Sequence, residues 1–460
     1  MTFHSSVVVC AAGAAFAFVP AALAQNAGFG SDRAEILHIA GDQAPPQLGN
    51  PDFVYATKSM VRVNNSGDYV FGATINGAAN FNNVLVNSSN DLIVRQGLEV
   101  PEIPGAFYNR VDDMALANDG TLAHTHGLFL QPRPGDSALF LDGRLMLQAG
   151  APINAPGAEG FSYYRLDAAG GVQINQKNQI LLYATIYDPT VPLTFDRGLI
   201  RLDYNRETLA YTETLVARTG TPMSGGDGQT LLGESIFTSN SQLAFNDLGQ
   251  TMYAASKFGA SLTRDFVAID TQILAQEGQP SLLPGRNYSV LQGSVVALNN
   301  SGSWAYTGIV DGAGSAADRT YIARDGEIFV KGGDVVDGFT LGAMSGRPIQ
   351  LSDNGDILWS SQLQGLTTLT NDAIFFNDKV LVKQGDVIDG RVLAGLAVSQ
   401  DGYRMSEDGR WFIGRGTFRN EANPALFDQF VFRIAIPEPS SLTLLAGAAL
   451  GLIRRRRKGF

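Results

Sequence analysis

One short pattern occurs seven times in this chain, and it limits the possible folds more than any other feature. In the clearest copy, residues 299–302 form a polar Asn-Asn-Ser-Gly turn, and an apolar segment containing Trp304 and Tyr306 follows. The fourth position of such a turn needs a positive φ angle, which Gly adopts freely and Asn tolerates. The seven turns are marked by Asn64 and Gly67, Gly120, Asn175 and Asn178, Asn246 and Gly249, Asn299 and Gly302, Gly355, and Gly409. A fixed repeat of this kind predicts a repeat architecture.

The period of the repeat favours a β-propeller. Successive fourth positions are 53, 58, 71, 53, 53 and 54 residues apart, and a period of about 50 residues is typical of kelch-type propeller blades. Each period also contains a second marker, a strand that ends in Gly or Gly-Asp. One period then predicts four short strands, and in the sixth we expect them at 335–344, 357–360, 373–377 and 379–383. Few stretches have helical periodicity, so the body is predicted to be all-β.

The order of the two markers predicts that the repeat closes into a ring. The Gly-Asp marker comes first, at Gly41, whereas the last turn, at Gly409, has no such marker after it. Residues 35–40 are therefore expected to complete the last blade by pairing with the strand at 425–434. Such closure leaves no open sheet edge at the seam. An open solenoid is disfavoured, because its two ends would not need to complement each other. We predict a seven-bladed β-propeller built from repeats of about 53 residues.

Both ends of the chain have the composition of targeting signals. Residues 7–18 are apolar and Ala22-Leu23-Ala24 is an A-x-A cleavage site, so residues 1–24 are predicted to be a secretory signal peptide. The alternative, a membrane anchor, is disfavoured because the apolar run is short. At the other end, Pro437, Glu438 and Pro439 precede an apolar segment at 442–453 and a cluster of basic residues at 454–458.

The C-terminal region resembles the PEP-CTERM sorting signal of Gram-negative bacteria, in which Pro-Glu-Pro, a short helix and an Arg cluster follow in that order. This resemblance implies recognition by an exosortase, a membrane protease-transpeptidase. The chain would then be an inner-membrane intermediate before it reaches the cell surface or the extracellular space. An ordinary tail anchor is the alternative. These signals predict three parts: a signal peptide at 1–24, a propeller at 25–435 and a sorting signal at 436–460 with a short transmembrane helix.

The body resembles the tandem-repeat proteins named for an Asn-x-x-Gly-x-x-Ala-Phe motif, the choice-of-anchor family. Asn299, Gly302, Ala305 and Tyr306 match that motif closely, whereas most other copies match mainly at the turn. The resemblance implies no established activity and no catalytic residues. The formal net charge of -11 argues against nucleic acid as a partner.

Two groups of residues could bind metal. His124 and His126 lie on one face of a predicted strand, but a polar strand face explains them as well, because no third His is near. Two near-identical loops carry paired carboxylates that could hold calcium, although the spacing is not that of known calcium loops and each Asp could cap its own turn. The loop residues are Asp334, Asp337, Asp386 and Asp389. No other cofactor is predicted.

Two classes of function stay open. Aromatic residues recur at matched positions of the repeat: Tyr69, Trp304, Trp359 and Trp411. They could be platforms on which sugars stack, but packing between blades is the simpler interpretation. No nucleophile elbow, phosphate loop or dinucleotide fingerprint is present. The sequence favours a non-catalytic surface or biofilm-matrix protein that binds exopolysaccharide or other surface components. The alternative is a secreted polysaccharide-acting enzyme with two carboxylates in the centre of the propeller.

The third period is longer than the others and is predicted to carry the surface that gives specificity. Its interval of 71 residues, against 53 in a standard unit, is expected to place the additional residues in loops rather than in strands. The expected loops are residues 187–193 and 221–228, which are rich in Pro and Gly. A neutral surface insertion is the alternative.

Overall fold

The computed structural model describes residues 28–437, apart from 51, 77–81, 167–170, 192–193, 222–242, 258–264, 292, 368–370, 400, 421–422 and 424–425. The predicted signal peptide at 1–24, the segment 442–453, Glu438, Pro439 and residues 222–228 thus lie outside the described residues. Three short 3-10 turns occur in the described part, at Ser31–Arg33, Pro46–Leu48 and Ala317–Arg319. None of the helices in this part is long and apolar enough to span a membrane.

The described strands form seven blades, which confirms the predicted fold. The chain begins with β1 (Ala34–Ile39), and blade 1 follows with β2 (Tyr55–Val63), β3 (Tyr69–Ile75), β4 (Asn83–Asn87) and β5 (Leu92–Arg95). Blade 2 contains β6 (Phe107–Leu116), β7 (Leu122–Phe129), β8 (Ser137–Leu141) and β9 (Arg144–Gln148). Blade 3 contains β10 (Ser162–Arg165), β11 (Val172–Asn175), β12 (Gln179–Tyr187), β13 (Phe195–Tyr204) and β14 (Tyr211–Arg218).

The remaining four blades repeat the same antiparallel order. Blade 4 contains β15 (Leu243–Phe245), β16 (Thr251–Ser256), β17 (Asp265–Ile269) and β18 (Gln272–Gln276). Blade 5 contains β19 (Val296–Leu298), β20 (Trp304–Ile309), β21 (Thr320–Arg324) and β22 (Glu327–Lys331). After the hairpin of β23 (Val335–Val336) and β24 (Phe339–Thr340), blade 6 contains β25 (Gln350–Leu351), β26 (Ile357–Gln362), β27 (Asp372–Phe376) and β28 (Lys379–Lys383). Blade 7 contains β29 (Val387–Ile388), β30 (Arg391–Leu396), β31 (Tyr403–Met405), β32 (Trp411–Arg419) and β33 (Phe427–Ala435).

The ring closes through the two ends of the described chain. β1 is the outer strand of blade 7 and pairs antiparallel with β33, with Ala34 opposite Ile434 and Ile36 opposite Phe432. The predicted pairing of residues 35–40 with the strand at 425–434 is confirmed. Ile36 and Ile434 belong to the apolar core between blades 6 and 7, so the closing strand contributes both hydrogen bonds and packing.

The core is divided among the interfaces between blades. Seven clusters of buried apolar side chains occur in the described residues, and each fills the space between two neighbouring blades, including the seam between blades 7 and 1. A blade that is covered on both faces needs strands that are apolar on both faces. All six residues of β16 are buried for this reason. Burial of this kind, at about 25 cal/mol per Å² of apolar surface, is the main stabilising term in a chain without disulfides.

Two expectations about strands are wrong. Residues 335–344 do not form one strand, because Asp337 and Gly338 both have positive φ angles (51° and 84°) and reverse the chain between β23 and β24. Asp-Gly is the dipeptide that such tight turns prefer. In blade 3, much of the additional length lies in the strands: β12 and β13 have nine and ten residues, against six and five for β16 and β17 of blade 4. A hairpin can lengthen both strands together without losing register.

The turns of the repeat have one geometry. Their fourth residues all have positive φ angles, from 57° at Asn178 to 88° at Gly120. In blade 5 the Asn299 side-chain oxygen accepts hydrogen bonds from the backbone amides of Ser301 (3.1 Å) and Ser303 (2.8 Å), which closes the turn. The turn joins the innermost strand of a blade to its second strand, so all seven turns lie at the same end of the propeller axis.

Candidate functional site on the propeller axis

A ring of polar side chains surrounds the axis at the turn end. It consists of the second residue of each turn, one from every blade: Asn65, Asn118, Gln176, Asp247, Asn300, Asp353 and Glu407. We call this set the axial ring. The backbone amides of Gln176, Asp247 and Asn300 each donate to the side-chain oxygen of the next blade's ring residue, at 2.7–3.0 Å. The seam is linked too, because the Asp408 amide donates to Asn65 Oδ1 at 3.0 Å.

Glu407 lies across the centre of the axial ring. Its Oε2 atom accepts hydrogen bonds from Asn118 Nδ2 (2.5 Å), Gln176 Nε2 (3.2 Å) and Asn300 Nδ2 (3.2 Å), which come from blades 2, 3 and 5. Burial and the nearby carboxylates of Asp353 and Asp247 raise the pKa of Glu407 to about 7. Glu407 is therefore a group whose charge changes near neutral pH, and it contacts ring residues from three other blades.

A cavity of about 180 Å³ lies beneath the ring, along the innermost strands of blades 3 to 7. Its walls are polar and apolar in about equal parts, and the apolar part includes Phe245, Leu298 and Met405. Two charged side chains line it, Arg404 and Glu407. At about 30 Å³ per water molecule, the space corresponds to roughly six waters. We call it the axial cavity.

A cluster of buried charges adjoins this cavity. Arg62 Nη2 lies 3.1 Å from Asp113 Oδ1 and 3.0 Å from Asp401 Oδ1, so one guanidinium bridges two carboxylates. Arg404 Nη2 is 3.4 Å from the same Asp401 oxygen. Arg415 lies close enough to Asp401 for mutual electrostatic stabilisation. We call Arg62, Asp113, Asp401, Arg404 and Arg415 the axial charge cluster.

The two carboxylates of this cluster differ in environment. Burial raises the pKa of Asp113 to about 6 despite the nearby Arg62, and both of its oxygens accept backbone amides, from Met114 and Val172. Burial also favours a higher pKa at Asp401, but the positive charges of Arg62 and Arg404 outweigh this effect and lower the pKa of Asp401. Asp113 is fully buried, whereas 27% of the Asp401 side chain is accessible. Divergent pKa values in a carboxylate pair are typical of acid-base sites, but here one partner is enclosed by the backbone.

Three of the four loop aspartates accept hydrogen bonds or form ion pairs, each with different partners. Asp334 accepts the Lys331 amide at 3.0 Å and so caps its own turn. Asp337 contacts Lys379 Nζ (3.2 Å), and Asp386 contacts Lys383 Nζ (3.0 Å) as well as the Gly28 amide. Asp389 has a positive φ angle in a tight turn. Calcium binding at these loops stays a prediction, which a chelator titration would test.

His124 and His126 lie in the core between blades 1 and 2 rather than on a polar strand face. Both rings are fully buried, and His126 Nε2 is 2.8 Å from His124 Nδ1. His124 stacks on Phe140 at 5.4 Å between ring centroids. Burial lowers the pKa of His124 to about 3. Within the described residues, no group of three or more His, Cys, Asp or Glu side chains is arranged to hold a metal ion.

The repeated aromatic residues pack within and between blades. Trp359 is buried and stacks on Phe375 at 4.2 Å. Trp411 lies against the turn of blade 1, where a side chain at Gly67 would come within 2.7 Å of the indole. Pro437, the first residue of the sorting motif, lies two residues after the end of β33 and is partly buried.

The residues of the axial charge cluster were missed in the sequence analysis. They come from blades 1, 2 and 7, and only Arg62 and Arg404 share a position of the repeat, two residues before the turn. One signal was present: at the position of Arg62 and Arg404 the other five blades have only Ala or Gln. The axial ring could have been found, because it is the second position of the turn that identified the repeat.

Comparisons with known proteins identify two regions. Residues 4–284, more than half of the chain, match a family described as "Family of unknown function (DUF7453)". Residues 435–458 match the PEP-CTERM protein-sorting motif, which marks a protein for export and exosortase-mediated surface sorting in Gram-negative bacteria. The comparisons do not connect the body with the choice-of-anchor repeat proteins. No curated protein sequence matches the chain.

Several solved structures align with the fold at very low identity. The polysaccharide lyase Uly1 aligns with a TM-score of 0.41 and 9% identity, over 83% of this chain and 90% of the lyase. A sialidase from Trypanosoma rangeli gives 0.33 and 9% identity, over 89% of this chain and 63% of the sialidase, so this chain spans less than two thirds of that protein. A putative exo-beta-1,3-galactanase from Bifidobacterium bifidum s17 gives 0.26 and 10% identity, over 63% of this chain and 93% of that one. These scores are too low to bear on function.

Proposed function

Because this chain belongs to the DUF7453 family and carries a PEP-CTERM motif, we propose that it is an exported, surface-sorted propeller that binds or organises extracellular material without catalysis. Its partners would be the exosortase during sorting, and exopolysaccharide or other surface components afterwards. The proposed route begins at a signal peptide and passes through an inner-membrane intermediate.

One observation carries the non-catalytic part of this proposal. The axis is surrounded by polar residues from equivalent positions of the repeat, and ring-to-ring hydrogen bonds occupy many of them. A hydrolytic site needs two carboxylates that both reach a substrate. Asp113 cannot do so, because it is fully buried and both of its oxygens accept backbone amides. The geometry is that of a stable scaffold with a small internal cavity.

A sedimentation assay tests the proposal. The processed protein is mixed with the exopolysaccharide of the cells that produce it, and the pellet and the supernatant are analysed separately. We expect the protein to sediment with the polymer and no soluble reducing ends or unsaturated sugars to appear. Protein that stays in the supernatant would contradict the binding function.

Catalysis is the second candidate, and the accessible carboxylate of Asp401 favours it. Asp113 and Asp401 lie within about 6 Å of each other, because both are bonded to one Arg62 nitrogen at 3.1 and 3.0 Å. A substrate in the axis would meet Asp401 alone, because Asp113 is enclosed, so Asp401 is the carboxylate to test. If sugar products do appear in the supernatant and an Asp401→Asn variant stops their release, the enzyme hypothesis replaces the non-catalytic one.

Sorting is tested separately at the C-terminus. Replacing Glu438 of the Pro-Glu-Pro motif with Ala should leave a larger species in the membrane fraction, because the exosortase would no longer recognise it. Replacing Asp428, an aspartate in β33 that pairs with Asn420, gives a control whose sorting should be normal. Mass spectrometry of exported wild-type protein with Arg454 to Phe460 still attached would show that the motif is not processed.

A further inference from the structure

The closing strand β1 places an ionisable side chain in the seam between blades 7 and 1. β1 has a bulge between Ile36 and His38. A β-bulge redirects the side chains next to it, and here Leu37 and His38 both pack against blade 1. The centroid of the His38 ring lies 4.5 Å from that of Phe71 and 5.5 Å from that of Tyr55, and both of these aromatic side chains are buried. His38 is therefore part of the packing that holds β1 in place.

The groups that face His38 from blade 1 do not favour a positive charge on its ring. From β3, the Tyr69 hydroxyl lies 3.1 Å from His38 Nε2 and is a neutral partner. From β2, Lys58 Nζ lies 4.3 Å from the centroid of the Tyr55 ring and is buried, without a hydrogen-bond partner among the described residues. Burial and, to a smaller extent, the positive charge of Lys58 lower the pKa of His38 to about 4. Burial also lowers the pKa of Lys58, to about 8.

The carboxylates near the seam do not reverse this effect. Asp42 favours a higher pKa at His38, but its influence is smaller than that of burial, and its Oδ2 atom already accepts a backbone amide of β1 at 2.7 Å. Glu35, an exposed residue of β1, pairs with Arg433 of β33 at 2.8 Å. If β1 separates from the seam, His38 enters water and its pKa returns to about 6.5. The closed and the open arrangement of β1 therefore differ in their affinity for a proton.

We propose that β1 is an acid-sensitive latch, which mild acid releases from β33 and from blade 1 by protonating His38. β1 is suited to this role because it is the outer strand of its sheet, has only six residues and is hydrogen-bonded to β33 on one side. An imidazolium is more stable in water than among aromatic rings without a counter-ion. Release would leave the outer edge of β33 unpaired, and an unpaired edge can pair with a strand of another chain. The latch is independent of any ligand of the propeller.

Hydrogen exchange of the β1 amides, measured on the processed protein at several pH values, tests the latch. With a pKa of about 4 in the closed and about 6.5 in the open arrangement, the opening equilibrium should rise about 30-fold between pH 7.5 and pH 5, after correction for intrinsic exchange rates. Glu35 and Asp42 stay largely ionised in this range. The amides of β16 in blade 4 are the internal reference and should keep their protection.

Two outcomes of this measurement would overturn the proposal. One is an opening equilibrium of β1 that does not change with pH. The other is an equal loss of protection in β1 and β16, which would assign the acid effect to global unfolding. The buried His124 and His126 favour such unfolding in acid, because burial lowers the pKa of both.

Variants of the seam identify the group that responds. His38→Phe keeps an aromatic ring but cannot be protonated, so β1 should exchange equally at pH 5 and pH 7.5, and His38→Gln gives the same test if the first variant does not fold. Lys58→Met should reduce the 30-fold increase without abolishing it, because burial of His38 is the larger cause. Glu35→Gln is the matched control on the same strand and should leave the increase unchanged. An acid response that persists in both His38 variants would overturn the proposal.

Discussion

The axial ring and the axial charge cluster lie on the same axis but are built in different ways. The ring takes one residue from each of the seven blades, always at the second position of the turn. The cluster takes its five side chains from blades 1, 2 and 7. Ring positions accept Asn, Gln, Asp or Glu, because any of them offers an oxygen to the neighbouring amide. Cluster positions need particular charges.

This difference predicts how each region responds to substitution. In the ring, hydrogen bonds are distributed over seven blades, and a typical bond contributes only about 0.5–1.5 kcal/mol to stability. In the cluster, the Arg62 guanidinium contacts both carboxylates, so its removal takes away the cation closest to the fully buried Asp113. The ring should tolerate single changes, whereas the cluster should not.

The largest effect is expected for Arg62→Met. The variant keeps much of the side-chain volume but leaves Asp113 buried without its cation, so the free energy of unfolding should fall by about 3–5 kcal/mol. The loss should shrink as the pH is lowered. Without Arg62 the pKa of Asp113, already about 6, rises further, and protonation then removes the unpaired charge. Urea unfolding at pH 5 and pH 8 measures both quantities.

A matched control separates the cluster from ordinary surface charge. Arg410→Met removes an exposed guanidinium that lies 3.5 Å from Asp408, and exposed ion pairs contribute about 0–1 kcal/mol. Similar losses for Arg62→Met and Arg410→Met would mean that the axial charge cluster is solvated, and the contrast with the axial ring would disappear.

The same contrast explains how much could be predicted from the sequence. The repeat, the seven blades and the closure through β1 follow from turns and markers that recur at regular intervals, because each blade makes the same local contacts. The cluster depends on contacts between Arg62, Asp113 and Asp401, which are brought together only when the ring closes. No local propensity indicates such a contact. The lengthened strands of blade 3 were missed for a related reason, since paired growth of β12 and β13 leaves no turn signal.

A smaller effect is expected where the ring itself contains charge. Glu407 has a folded-state pKa of about 7, against an ordinary value of 4.5, so the folded protein retains a proton that the unfolded chain has lost between these pH values. Stability should therefore fall as the pH rises from 4.5 to 7. Glu407→Gln keeps an oxygen for Asn118, Gln176 and Asn300 and removes this loss. One pKa unit corresponds to about 1.4 kcal/mol, and the effect is reduced because Glu407 is partly solvated. The variant should therefore be more stable than wild type by about 2 kcal/mol at pH 8.

The pH profile, rather than the stability at one pH, is the decisive measurement for Glu407. Asp113 also has a raised pKa, of about 6, and contributes the same background slope to both proteins. The difference between the wild-type and Glu407→Gln profiles isolates Glu407, and it should be close to zero at pH 4 and grow towards pH 8. Parallel profiles would show that Glu407 is ionised throughout and that water reaches the centre of the axial ring.

The smallest effect tests whether the turns act separately or as a connected ring. Asn299 and Asn64 occupy the same position of the repeat, both are buried, and both side-chain oxygens cap their own turns. Asn299 Nδ2 also donates to the Ser352 carbonyl of the next blade at 2.8 Å, whereas among the described residues Asn64 Nδ2 reaches no neighbouring blade. Asn299→Ala should therefore lower the free energy of unfolding by about 1 kcal/mol more than Asn64→Ala, the contribution of one further hydrogen bond. Asn299→Ser restores the turn cap, because the hydroxyl groups of Ser352 and Ser406 cap their turns in the same way. It should recover the stability that both alanine variants lose with the cap, but not the further loss of about 1 kcal/mol from the missing bond to Ser352. If the two alanine variants lose equal stability, the bonds between blades contribute nothing measurable, and the turns are seven independent copies of one local structure.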